Sequence, residues 1–66
     1  MLLFSESIVK GFVHTNNGQR WGQAFYGYMK LHKVENEEDK IFCDKLYNAD
    51  DGTAKAMVAS RTMKGQ

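Results

Sequence analysis

Cysteine, histidine and clustered carboxylates do most protein chemistry, and this sequence holds few of them in useful patterns. Cys43 is the one cysteine, and His14 and His32 are the two histidines. A nucleophilic thiol needs a base within reach and a third group to orient that base. Cys43 instead falls on the apolar side of a helical stretch, where a cysteine behaves as a small hydrophobe. No second cysteine and no closely spaced histidine pair provides a zinc ligand set. His32 is expected to pack on an apolar helix face and His14 to sit exposed in a loop. The acids Glu35, Glu37, Glu38 and Asp39 lack the alternating oxygen ligands and the glycine of a calcium loop, and Asn48–Gly52 is too short for one. They read instead as a solvated, helix-opening cluster. Gly18 and Gly22 lack the Gly-Lys-Ser/Thr ending of a phosphate loop. The expectation is therefore a non-enzyme with no metal and no cofactor.

Binding chemistry is better represented. Continued as a helix, the stretch from Gln19 to Lys33 puts Gln19, Gln23, Tyr26, Lys30 and Lys33 on one polar face. An aromatic hydroxyl beside two cations is the composition of an interaction hot spot. Tyr26, Lys30 and Lys33, with Arg20 and Gln23 adjoining, form the expected partner-binding surface. A second arrangement, two helices over about 36–62 joined by a short turn, is compatible with a helix-turn-helix. It would offer Thr53, Lys55, Ser60 and Arg61 to DNA, although Asp50 and Asp51 at its leading end would repel phosphate.

Four amphipathic stretches must position these residues. Phe4, Ile8 and Phe12 stack at helical spacing over about 5–14, with Ser5 as N-cap, yet β-branched Ile8, Val9 and Val13 and the interior Gly11 weaken a helix there. A strand over 5–14 stays open. Asn16-Asn17-Gly18 reads as a turn. Trp21, Phe25, Tyr28 and His32 then line one side of the strongest helix, 19–33, in which Gly22 and Gly27 suggest close approach by another backbone or by a partner. Asn36 caps a third helix whose inner face is Phe42, Cys43, Leu46 and Tyr47, with Ile41 left pointing elsewhere. Asp50 or Asp51 caps a fourth, about 52–62, with Ala54, Met57 and Val58 inward. Arg61 is expected to lay its stem over the core and its head in water, and the chain to fray from Met63. The expected core is Phe4, Ile8, Phe12, Trp21, Phe25, Tyr28, Phe42, Leu46, Met57 and Val58.

Sixty-six residues make one domain. Nine Lys and Arg against eight Asp and Glu leave a net charge of +1, which counts against a dedicated non-specific nucleic-acid binder. Eight aromatic residues and 42% hydrophobic content suffice for a core and argue against disorder. One cysteine cannot form an internal disulfide, which fits a reducing cytoplasm. Met1-Leu2-Leu3-Phe4 is too short for a signal-peptide core, and no apolar run is long enough to span a bilayer. The expected fold is all-α, a small bundle of three to four short helices. Completion by dimerisation is compatible with the spare Ile41 and the two helical glycines.

The stretch Arg20-Trp21-Gly22-Gln23-Ala24-Phe25-Tyr26-Gly27-Tyr28 resembles a motif of small uncharacterised bacteriophage and prophage proteins, in which Arg-x-Gly-Gln opens a helix. An acidic linker and a Leu-Tyr pair follow in those proteins, matched here by Leu46-Tyr47 with Asp50-Asp51 behind it. That family often has Asn where this chain has Gly27. The resemblance implies a phage-encoded modulator or inhibitor of a host protein, acting in the host cytoplasm, and carries no assigned site. The expected function is thus a non-enzymatic protein-interaction module, with a small DNA-binding regulator as the alternative.

Overall fold

Two runs of the sequence place a capping side chain directly before an apolar helical stripe, and both fold as helices. The computed structural model describes residues 2–14 and 18–64. Helix α3 (Glu37–Asn48) begins where the Asn36 side chain accepts the Asp39 backbone N–H at 3.1 Å. Helix α4 (Asp51–Ser60) begins where Asp50 accepts the Thr53 N–H at 2.7 Å. Each cap satisfies one of the orphan donors of a first helical turn. Ahead of them lie a short strand β1 (Phe4–Ser5), helix α1 (Glu6–Lys10) and helix α2 (Trp21–Tyr28). A 3₁₀ turn at Leu31–Lys33 follows α2, and strand β2 (Thr62–Met63) ends the described chain. The fold is thus mostly α: the described residues form four short helices with one two-residue parallel strand pair, Phe4 beside Thr62 and Ser5 beside Met63.

The interior is built on rings. Phe25 is fully buried, stacked on Trp21 at 5.1 Å and met edge-on by Phe4 at 5.3 Å and Phe12 at 5.2 Å. Leu46 and Val58 complete the centre with Leu31, Phe42, Cys43 and Ala54. Burying an apolar side chain of this size contributes about 2–3 kcal/mol, so Phe4 alone anchors the start of the chain firmly. Trp21, Phe12 and Met57 are partly buried against this cluster.

Three boundaries depart from the sequence expectation, each for a physical reason. The 5–14 stretch is neither one helix nor one strand: it is the end of β1, five residues of α1, and then a turn and irregular chain that send Phe12 into the rings. Ile8, expected inside, is 45% exposed on the outer side of so short a helix. The 19–33 helix stops at Tyr28, because Leu31 is buried. Continued at 100° per residue, the helix would turn Leu31 about 120° away from Phe25. The chain instead breaks at Lys30, which has φ 54° and ψ 46°, and Leu31 drops into the core. His32 is consequently exposed rather than packed, and Tyr28 stays 45% exposed with its hydroxyl donating to the Ile8 carbonyl at 3.1 Å. Finally, Met63 is held in β2 rather than fraying. The turn expected at Asn16 and Asn17 lies outside the described residues, although Gly18 beside it takes φ +89°. Gly65 and Gln66 also lie outside them.

Gly22 and Gly27 part company. A Cβ on Gly22 would clash with the Leu46 carbonyl oxygen and come within 3.2 Å of the Ala54 Cβ, so α2 meets the α3 backbone directly there and the Ala54 methyl of α4 closes the same gap. Gly27 faces open space.

Candidate functional site

The five residues expected to bind a partner occupy the start of α2, its middle and the break after it. At the start, the Gln23 side chain accepts the Arg20 backbone N–H at 3.2 Å, closing the helix end that has no Ser, Thr, Asn or Asp cap. The Arg20 guanidinium reaches across to the Tyr47 carbonyl at 3.4 Å. The Trp21 N–H donates to the Asp51 carboxylate at 2.9 Å, which fixes α2 to the first residue of α4. Arg20 and Gln23 therefore have structural partners within the chain.

Tyr26 stands half-buried one turn on, its ring edge-to-face with Tyr47 of α3 at 5.2 Å. Sequence periodicity placed Tyr47 on the inner face of its helix, and it is instead 41% exposed. The pair bridges α2 and α3 at the surface. Tyr26 also borders a shallow depression of about 210 Å³, shared with Leu31, His32, Val34, Lys40 and Asp44. Cys43 lies at its floor, almost fully buried. Burial raises the Cys43 thiol above its ordinary pKa, and the nearby Asp39 and Asp44 carboxylates push the same way, so the group stays a neutral thiol at physiological pH. That is the opposite of an activated nucleophile.

Lys30 and Lys33 are exposed beyond the break, off the helical face drawn for them from the sequence. Their face is made by the turn rather than by helical periodicity. Among the described residues, Lys30 is the one non-glycine residue with positive φ, and its side chain makes no ion pair or hydrogen bond.

His14 reaches the Gln19 carbonyl with Nε2 at 2.8 Å, bracing the two ends of the connection into α2. Among the described residues no cluster of three His, Cys, Asp or Glu side chains could hold a metal ion, and no helix is long and apolar enough to cross a membrane.

A linkage between residues far apart in sequence ties Leu2 and Arg61 to α3. Asp39, expected among the solvated acids, is buried at 7% exposure. Its Oδ1 accepts the Leu2 N–H at 2.9 Å and pairs with Arg61 Nη1 at 3.2 Å. The Arg61 guanidinium lies over the Phe42 ring at 4.0 Å, a cation–π geometry. Its head is therefore turned into the fold rather than out to water, which also removes it from the outer face of α4 that a helix-turn-helix would present. Asp39 sits on the same helical line as Phe42, Cys43 and Leu46. That position was the available signal that it faces inward.

No family of proteins, no curated protein and no solved structure matches this chain.

Proposed function

We propose that this chain is a non-enzymatic protein-interaction module whose contact face is Tyr26, Lys30 and Lys33, with Arg20 and Gln23 at its edge. The observation that supports the reading is Lys30. It follows the C-cap Met29 of α2 in the left-handed conformation, the position where glycine is favoured because a Cβ there costs about 1–2 kcal/mol. Nothing within the described chain rewards a lysine at that place. Burial of Leu31 offsets the turn itself but does not call for a lysine there, and strain kept where glycine would relieve it is characteristic of residues that serve another role. The adjoining Tyr26–Tyr47 pair offers a rigid aromatic surface with hydroxyls, the composition enriched at hot spots. The resemblance of residues 20–28 to small phage proteins extends the proposal to a phage-encoded modulator of a host protein, working in the host cytoplasm.

The test is capture of partners from bacterial lysate on the tagged chain, with and without nuclease. A stoichiometric protein that survives nuclease, and that is lost from the Tyr26→Ala/Lys30→Glu double variant, is the expected result. Lys30→Gly separates fold from contact: it should raise stability by about 1 kcal/mol through relief of the left-handed strain, yet reduce capture. Unchanged binding by the double variant would refute the surface. Recovery of nucleic acid, with all proteins lost after nuclease and affinity falling steeply with salt, would put DNA binding in its place.

A further inference from the structure

A second concavity lies away from the Tyr26 face and shares no residue with it. It runs between α1 and the end of α4, lined by Glu6, Val9, Lys10, Ala59, Thr62 and Lys64, with a volume of about 230 Å³. Its floor is apolar: Val9, the Ala59 methyl and the Thr62 side chain. Its rim is charged with one predominant sign. Lys10 pairs with Glu6 at 3.7 Å, while Lys64, among the described residues, makes no ion pair. Lys55 is exposed one helical turn before Ala59, on the same side of α4. Lys10 and Lys64 against Glu6 leave the lining at +1, and Lys55, beside the groove on α4, adds a further positive charge. The remaining acids belong to the segment between α2 and α3, to α3 itself, or to the opposite end of α4.

The shape and charge limit what fits. Sites for drug-sized ligands usually span ~300–1,000 Å³, so a groove this small is better matched to a single branched side chain. An apolar floor inside a cationic rim complements an apolar side chain flanked by carboxylates. We propose that this groove docks an acidic peptide segment of a partner protein, one leucine-type side chain seated on Val9, Ala59 and Thr62 and its neighbouring carboxylates met by Lys64, Lys10 and Lys55. The rim cations give the contact its orientation and on-rate, and the floor excludes water from the anchor.

The probe is a blocked hexapeptide with one central leucine among glutamates, titrated into the isotope-labelled full chain and followed by amide chemical shifts. Shifts should concentrate at Val9, Ala59, Thr62 and Lys64, and leave Tyr26 and Lys30 unmoved. Replacing the leucine by serine, or the glutamates by lysines, should abolish them. Lys64→Glu should weaken the peptide roughly fivefold, and raised salt should weaken it further. Ala59→Leu, on an exposed helical position that tolerates leucine, should fill the groove and remove binding while circular dichroism stays unchanged. Absence of shifts at millimolar peptide, equal binding of the lysine peptide, or full binding by Ala59→Leu would each overturn the proposal. So would shifts at the same amides caused by vesicles containing an anionic phospholipid but not by the peptide, which would make the groove a membrane contact.

Discussion

Gly22→Ala and Gly27→Ala are the same substitution in the same helix, and the structure gives them opposite signs. Alanine gains up to about 1 kcal/mol over glycine in a helix interior, and somewhat less near a helix end. At Gly27 a new methyl meets nothing within 4 Å, so that gain is kept, roughly 0.5 kcal/mol so close to the end of α2. At Gly22 the methyl would clash with the Leu46 carbonyl oxygen, well inside van der Waals contact, and lie 3.3 Å from the Leu46 carbonyl carbon and 3.2 Å from the Ala54 Cβ. Two of those three atoms are backbone, so no side-chain rotation relieves the clash, and α2 must move off α3. Overpacking of this kind costs about 1–3 kcal/mol, and a rigid backbone contact belongs at the upper end. After the propensity gain, a net loss of about 2 kcal/mol remains, against a total stability on the order of 3–10 kcal/mol for 66 residues. With a urea m-value of about 1 kcal/mol/M for so small a chain, the midpoint should fall by roughly 2 M for Gly22→Ala and rise by roughly 0.5 M for Gly27→Ala. A midpoint for Gly22→Ala at or above the wild-type value would refute the close approach of α2 and α3, and with it the account of the core.

The chain-end linkage should respond to Asp39→Ala with a loss of about 2 kcal/mol, since the change strands the Leu2 N–H and leaves the partly buried Arg61 guanidinium without its counter-ion, held by the Leu2 carbonyl and the Phe42 ring alone. A double-mutant cycle with Arg61→Ala should return a coupling near 1 kcal/mol, and additivity would show that the pair contributes nothing jointly. A thiol-reactive dye at pH 8 should label native Cys43 far more slowly than the urea-unfolded chain, because burial and two carboxylates hold it as the thiol; equal rates would contradict the buried placement. The Asp50 carboxyl is held below its usual pKa mainly by the Thr53 backbone N–H that it caps. Its folded pKa lies under its unfolded one, so its contribution is present above about pH 4 and disappears as pH falls through the lowered value. Asp50→Asn keeps a neutral acceptor and should flatten the acid side of the urea-midpoint profile; an unchanged profile would remove the cap from the account.

What the sequence made legible was local. Asn36 and Asp50 announce α3 and α4 because a cap is a contact between residues three apart, and the Trp21–Phe25 line is visible because one helical turn is enough to define it. The break at Lys30 is invisible for the opposite reason. No glycine or proline marks it, and the lysine is a good helix former; the helix ends because burying Leu31 stabilises the fold more than the left-handed residue costs. The same tertiary override exposes His32 and Ile8. Asp39 shows how a composition argument misleads. Three acids at a helix start look alike as charges, yet only the third lies on the line of Phe42, Cys43 and Leu46, and its partners stand at Leu2 and Arg61, far away in sequence.

Lys30 brings these levels together. A helix-forming residue placed where the chain must turn left-handed is a disagreement between local preference and fold, and natural sequences keep few such disagreements where selection for folding alone would remove them. Gly18, at φ +89°, shows that this chain does supply glycine where the backbone demands positive φ. At Lys30 the chain does not, one turn after the half-buried Tyr26 and, among the described residues, with the ammonium group free. The stability forgone at that turn is small, about 1–2 kcal/mol, but it is a noticeable share of what 66 residues can provide. Strain retained in so small a fold, at a residue whose side chain has no partner among the described residues, directs attention to the outside of the molecule, and the Lys30→Gly variant asks directly whether the lysine is kept for a partner.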